Sequence, residues 1–241
     1  MLADLLIYKE NKITKISIKS FEENGEESEE FFCEKKFSKN YKKATLFTRA
    51  SLSSPSLLLS EYSADGKLTQ TNDSSTISVT KIEYSYNKKG QISSIFSSIR
   101  SGDYASCITE AHYYTYENNQ VTKMVKIKNG QDSILILFVL DSKGNVAVEK
   151  DTKNGTKFYY YYDTKNRLTD IVQATEYTKN LKPDYMYEYN NAGQVTQMIA
   201  VEEGSNNYYV WRYSYNNGLR TREKCFTNEK RLMGNITYEY K

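Results

Sequence analysis

At 241 residues the chain has a length that all-β sandwiches and barrels often fill as one unit, so a single domain over residues 1–241 is expected. Lys and Arg number 33 against 30 Asp and Glu, and a net charge of +3 gives no electrostatic footprint for nucleic acid or an anionic membrane surface. The 23 tyrosines, with 11 glycines and 2 prolines, suit long uninterrupted strands and exclude a disordered chain.

The N-terminal stretch Met1 to Lys12 has no basic n-region, carries Asp4 inside its short apolar run and leads into strand-like sequence, so it is not a signal peptide. Tyr8, with Ile13 and Ile16 after it, is read as the opening of a repeat series. The acidic run Glu22, Glu23, Glu26, Glu27, Glu29 and Glu30 around Asn24-Gly25 is read as a solvated loop face rather than a cation site. Between Tyr8 and Tyr62 there is room for one degenerate unit, around Phe32 to Phe47. Residues 1–54 therefore count as degenerate repeats and residues 55–241 as clear ones.

The clear units share one string, best seen in Tyr84-Ser-Tyr86-Asn-Lys-Lys-Gly90-Gln-Ile92, Tyr160-Tyr-Tyr162-Asp-Thr-Lys-Asn166-Arg-Leu168 and Tyr187-Glu-Tyr189-Asn-Asn-Ala-Gly193-Gln-Val195. Taking the residue before each turn gives Tyr62, Tyr86, Tyr116, Leu140, Tyr162, Tyr189, Tyr215 and Tyr240, a period of about 25 residues. Asn or Asp followed three residues later by Gly fits a type I turn whose last residue takes positive φ, and Asn166 can replace Gly there. Tyr-x-Tyr puts both rings on one strand face. Ser85, Glu188 and Ser214 then lie on the other.

After each turn apolar residues fall at offsets 0, 3 and 4, as in Ile92/Ile95/Phe96 and Leu168/Ile171/Val172. That spacing also fits a helix face, but no cap introduces these segments and the next Tyr-x-Tyr arrives too soon for a helix and two connections. A strand with a bulge, or with one apolar residue on its second face, fits better. Nine or ten such units imply on the order of 18 strands, which must curl, split or close to hide their edges. The expected fold is all-β: an antiparallel meander of hairpin repeats rolled into a barrel-like or strongly curved sheet. So wide a barrel cannot be filled by side chains, and Tyr84/Tyr86, Tyr160/Tyr162, Tyr187/Tyr189 and Tyr213/Tyr215 are expected to line its concave side.

These turn-centred strings resemble the YD repeat of bacterial Rhs and related wall-associated proteins. They are more similar still to an exported bacterial family of unknown function described as having a porin-like β-barrel fold. The resemblance covers residues 55 to 241 well, and implies a shell or surface structure that is exported to the periplasm, cell surface or medium. It implies glycan or protein binding and carries over no catalytic residue.

No site chemistry stands out beyond the aromatics. His112 is the one histidine and is read as a packed or hydrogen-bonded structural residue, without a GxSxG elbow or a second imidazole. Cys33, Cys107 and Cys225 form neither a CxxC pair nor a zinc spacing and allow at most one disulfide. No phosphate-binding glycine loop occurs, so neither metal nor cofactor is expected. The longest apolar run, Ile134 to Leu140, is far short of the ~20 residues of a membrane-spanning helix.

Asp163, Asp170 and Glu149 lie near aromatic segments and are the carboxylates a glycan-acting enzyme would use, although Asp163 also suits a turn. Tyr209, Trp211 and Tyr213 share one strand face, with Tyr208 on the other, and Tyr159 and Tyr161 belong to the run Phe158 to Tyr162. These six are the candidate ligand-binding residues, since exposed rings stack on sugars or peptides. The leading reading is a non-enzymatic exported or surface domain that binds a glycan or protein or acts as a scaffold. The alternatives are a carboxylate-dependent glycan-acting enzyme and an outer-membrane barrel, for which the polar alternate positions leave the lipid band short of apolar residues.

Overall fold

A computed structural model of the chain describes residues 2–50, 53–101, 107–178, 181–202, 204–205 and 207–241. One helix, α1 (Leu2–Glu10), precedes a continuous meander. Its first strands are β1 (Lys15–Glu22), β2 (Phe32–Phe37), β3 (Lys43–Ala50), β4 (Ser53–Tyr62), β5 (Leu68–Ser75) and β6 (Ser78–Tyr86). Next come β7 (Ile92–Ser101), β8 (Cys107–Glu117), β9 (Gln120–Lys128), β10 (Asp132–Leu140), β11 (Val146–Asp151) and β12 (Lys157–Tyr162). The last are β13 (Leu168–Ala174), β14 (Tyr185–Tyr189), β15 (Val195–Val201), β16 (Tyr208–Asn216), β17 (Leu219–Thr227) and β18 (Leu232–Tyr240). Each strand pairs antiparallel with the next, and β18 pairs with β1, closing all 18 into one barrel.

The closure uses the repeat itself. Tyr240 stands opposite Ile16, as Tyr86 stands opposite Ile92, so β1 supplies the second strand of the last hairpin and the two chain ends replace its turn. Thr14 N and Lys15 N both donate to Lys241 O, at 2.7 and 2.9 Å, and Lys241 N donates to Lys15 O at 2.9 Å. No strand edge is left unpaired at this seam, the usual liability of an open sheet.

Within the repeat, each residue type has a local cause. Gly90 N donates to Asn87 O and Gly193 N to Asn190 O, with φ of 79° and 81° at the glycines. Asn166, at φ 65°, does the same work without being glycine. Where the glycine is missing before Val121, Asn118 and Asn119 both take positive φ and shorten the turn. The register then slips by one residue between Ser85 and Tyr86, Tyr161 and Tyr162, and Glu188 and Tyr189. This recurring bulge frees the carbonyl of the first residue after the turn. The tyrosine of the next unit fills it: Tyr86 Oη donates to Leu68 O at 2.7 Å, Tyr116 Oη to Ile92 O at 2.8 Å, Tyr162 Oη to Val146 O at 2.9 Å and Tyr189 Oη to Leu168 O at 2.6 Å. A neighbouring threonine caps the other strand, as Thr169 does on Tyr161 O at 3.2 Å.

The bulge also explains the offsets of 0, 3 and 4. Tyr162 faces Leu168 and Tyr160 faces Ile171, placing offsets 0 and 3 on the tyrosine face, whereas Val172 faces Tyr159 on the other. The helical reading fails because one strand changes phase at the bulge.

The tyrosine face is the concave one. Leu5 of α1 packs in one cluster with Ile13, Ile16, Phe37 and Ala44, against which Tyr62, Leu219, Tyr238 and Tyr240 lie. A helix can touch strands spread over so wide an arc from inside the barrel alone. The four Tyr-x-Tyr pairs accordingly point inward, with Ser85, Glu188 and Ser214 exposed outside.

Tyr8 does not open the repeat on a strand; it sits on α1, its ring 5.3 Å from that of Phe37 and 6.2 Å from that of Tyr240. A helix this short is marginal by itself, and burial of Leu5 with partial burial of Tyr8 in the barrel floor stabilises it.

Candidate functional site

The inward face forms a lumen whose character changes along the barrel axis. At the hairpin-turn end a girdle of Tyr62, Tyr86, Tyr116, Leu140, Tyr162, Tyr189, Tyr215 and Tyr240 meets α1, which closes the floor on the side of the β1–β18 seam. Between α1 and the girdle lies a cavity of about 480 Å³ bounded by Ile7, Tyr8, Val195, Tyr215, Arg220 and Tyr238. Toward the opposite end inward residues are wet: Ile99, Ile108, Tyr185 and Tyr209 remain 44%, 56%, 43% and 38% exposed. A barrel of 18 strands leaves an aqueous interior, and the exposure of these inward side chains agrees with that.

Three polar groupings interrupt the aromatic wall. Half-buried Glu110 meets His112 Nε2 at 2.7 Å and Lys126 Nζ at 3.0 Å, with Lys128 at 3.8 Å. Burial alone would raise the Glu110 carboxyl, but Lys126 and His112 hold it below its ordinary range. Glu223, 9% exposed, binds Arg220 Nη1 at 2.9 Å and the Tyr238 hydroxyl, while the Arg220 guanidinium lies 4.5 Å from the Tyr213 ring centroid. Burial, then the charge of Glu223, pushes the Tyr213 hydroxyl up to about 12. The third is Glu149, opposite Phe138 on one side and Phe158 on the other, with the Tyr160 hydroxyl donating to it at 3.2 Å. Burial and then the negative charge of Glu149 hold that phenol protonated far above its ordinary value.

The six aromatic candidates divide between the two faces of the wall. Trp211, Tyr209 and Tyr213 point inward on β16, opposite Cys225, Thr227 and Glu223. A cavity of about 240 Å³ adjoins Trp211, bounded also by Glu22, Cys225, Gly234 and Ile236. Tyr208 faces outward beside Val201, and Tyr159 and Tyr161 face outward beside Val172 and Asp170. No single surface gathers all six.

The carboxylates separate as well. Asp163 caps its turn by accepting from Lys165 N and Arg167 N, and the Arg167 side chain holds its carboxyl below the ordinary range. Asp170 is on the outer face and Glu149 on the inner. His112 is hydrogen-bonded in the lumen network to Glu110, although the sequence did not identify that partner. Cys33 and Cys225 are inward and Cys107 outward, and all three thiols are free. Among the described residues no group of carboxylates, cysteines and histidine could hold a metal, and the acidic loop after β1 is tied by Asn24 to Glu26 and by Lys19 to Glu27.

No family model matches the chain, and neither does any curated protein. Among solved structures it is similar to a porin-like protein from Bacteroides uniformis, at 11% identity and a TM-score of 0.42, over 95% of this chain and 98% of that one. It is also similar to the TcdB2-TccC3 assembly without its hypervariable C-terminal region, at 14% identity and a TM-score of 0.40, over 87% of this chain. The Photorhabdus luminescens Tc holotoxin pore follows at 14% identity and a TM-score of 0.36, over 84% of this chain. The chain spans 12% of the length of those toxin chains.

Proposed function

We propose that the chain is a non-enzymatic, exported or surface β-barrel that holds a carbohydrate chain against the β16 wall of its lumen. The observation that carries this reading is the inward ladder Tyr209, Trp211 and Tyr213, set beside a cavity in a wet interior. Tyr209 is exposed and Trp211 and Tyr213 are half-buried, and rings at such a wet margin present an apolar face to a sugar while hydroxyls nearby stay hydrated.

The enzymatic alternative needs two carboxylates facing one bond from ~5 to ~9.5 Å apart. Asp170 and Glu149 are on opposite sides of the wall, and Asp163 is engaged in its turn. An outer-membrane barrel needs an apolar band around its whole outer face. Tyr113, Val139 and Tyr161 supply one over β8 to β12, at 52%, 57% and 47% exposure. From β2 to β6, however, the outer face carries Glu34, Lys36, Glu61, Lys81 and Glu83. No helix among the described residues is long and apolar enough to cross a membrane.

Trp211 is the sole tryptophan, so its fluorescence reports this wall directly. Titration with a panel of oligosaccharides is expected to shift its emission saturably, and Tyr213→Leu should weaken the binding several-fold. A panel that leaves the emission unchanged, in a protein whose Trp211 acrylamide still quenches, would overturn the carbohydrate reading.

A further inference from the structure

The tyrosines of this barrel repeatedly carry a cation on the ring face. Lys67 Nζ lies 5.5 Å from the Tyr86 centroid, Arg167 4.6 Å from that of Tyr189, and Arg220 4.5 Å from that of Tyr213. At Tyr213 the arrangement is complete: the cross-strand carboxylate of Glu223 and the ring share one guanidinium. Ring quadrupole and carboxylate both favour a positive charge there.

Glu149 reproduces that arrangement without a cation of the protein's own. Its immediate cross-strand neighbours are Phe138 and Phe158, and Tyr160 donates its hydroxyl to it. Among the described residues it makes no ion pair, whereas Glu110 and Glu223 both do, and Asp151, inward two residues further along β11, accepts from Lys153 N and Asn154 N of its own turn. Lys150 and Lys157, near it in sequence, face each other on the outer side of the wall.

We propose that Glu149, Phe138, Phe158 and Tyr160 form a binding site for an organic ammonium group. A carboxylate flanked by aromatic side chains suits a large, weakly hydrated cation such as an alkylated amine, because rings can replace water that such a cation holds loosely. A small inorganic cation would need several oxygen ligands, which the phenylalanines do not provide. The proposal rests on the reading of the lumen as open to solutes, but not on carbohydrate binding, since the site is on β10 to β12 and Trp211 on β16.

The test is calorimetric titration of the whole protein with tetramethylammonium chloride, with sodium chloride as the ionic control and tert-butanol as the neutral analogue of similar shape. Saturable binding of tetramethylammonium alone is expected. Glu149→Gln should weaken it about tenfold or more, Phe158→Leu several-fold, and Tyr160→Phe little, because that variant keeps the ring and the charge. Absent binding, equal binding of tert-butanol, or an unchanged affinity in both Glu149→Gln and Phe158→Leu would overturn the proposal. Should Glu149→Gln fail to fold by circular dichroism, Phe158→Leu and the neutral analogue still decide it. Acrylamide quenching of Trp211, run in parallel, separates a sealed lumen from a site that does not bind ammonium.

Discussion

Ile16→Ala is expected to lower the unfolding free energy by about 2–5 kcal/mol, the range for truncating a buried isoleucine that leaves a cavity. Ile16 is 2% exposed at the seam, opposite Tyr240 on β18 and Lys35 on β2, in the cluster that also holds Leu5, Phe37 and Ala44. Few side chains in this wet barrel are so completely enclosed, and this one joins the helix to the closure. Ile16→Val, which keeps most of the volume, should cost about 0.5–1.5 kcal/mol. Urea unfolding followed by circular dichroism checks both, and equal midpoints for Ile16→Ala and the parent would show that α1 and the seam contribute no packing.

Glu223→Leu is expected to destabilise by about 1–3 kcal/mol, because it leaves Arg220 without its carboxylate and the Tyr238 hydroxyl without an acceptor. A fully buried broken pair costs about 3–5 kcal/mol, but the Arg220 side chain is 40% exposed and water screens part of that loss. The double variant Glu223→Leu/Arg220→Met should recover part of the stability, since no charge is then left unpaired. Thermal melts of the single and double variants check this: a double variant that loses the sum of both single effects would mean the two side chains act independently.

Much of this architecture was legible in the sequence because its repeat is local. Tyr-x-Tyr fixes a face, Asn or Asp with Gly or Asn166 fixes the turn, and the spacing gives the strand count. The apolar offsets even signalled the bulge, though not that its purpose is to present a carbonyl to the next tyrosine. The helix α1 was not legible, since its nine residues have no strong helix signal and depend on contacts with Phe37 and Tyr240 made by distant strands.

The site was legible in halves. Alternation places Trp211 with Tyr209 and Tyr213, and separates Tyr208 from them. It equally puts Tyr159 and Tyr161 on the face opposite Tyr160, away from the side expected to be concave, so the six candidates could already be seen to divide. Glu149 stood out as a carboxylate near aromatic segments, but its partners did not, because Phe138 and Phe158 come from flanking strands and a bulge between Val139 and Leu140 interrupts the register. The network of Glu110, His112 and Lys126 likewise depends on the pairing of β8 with β9.

The central claim is that the chain closes on itself around an enclosed lumen, and amide hydrogen exchange at the β1–β18 seam tests it most directly. In β1 and β18, Ser17, Lys19 and Phe21 stand opposite Glu239, Thr237 and Asn235. Closure predicts that amides along this ladder exchange as slowly as those of the hairpin β16–β17, and slow together rather than fraying from either chain end. Seam amides that exchange at the rate of unpaired edge strands, while β16–β17 stays protected, would contradict the closed barrel.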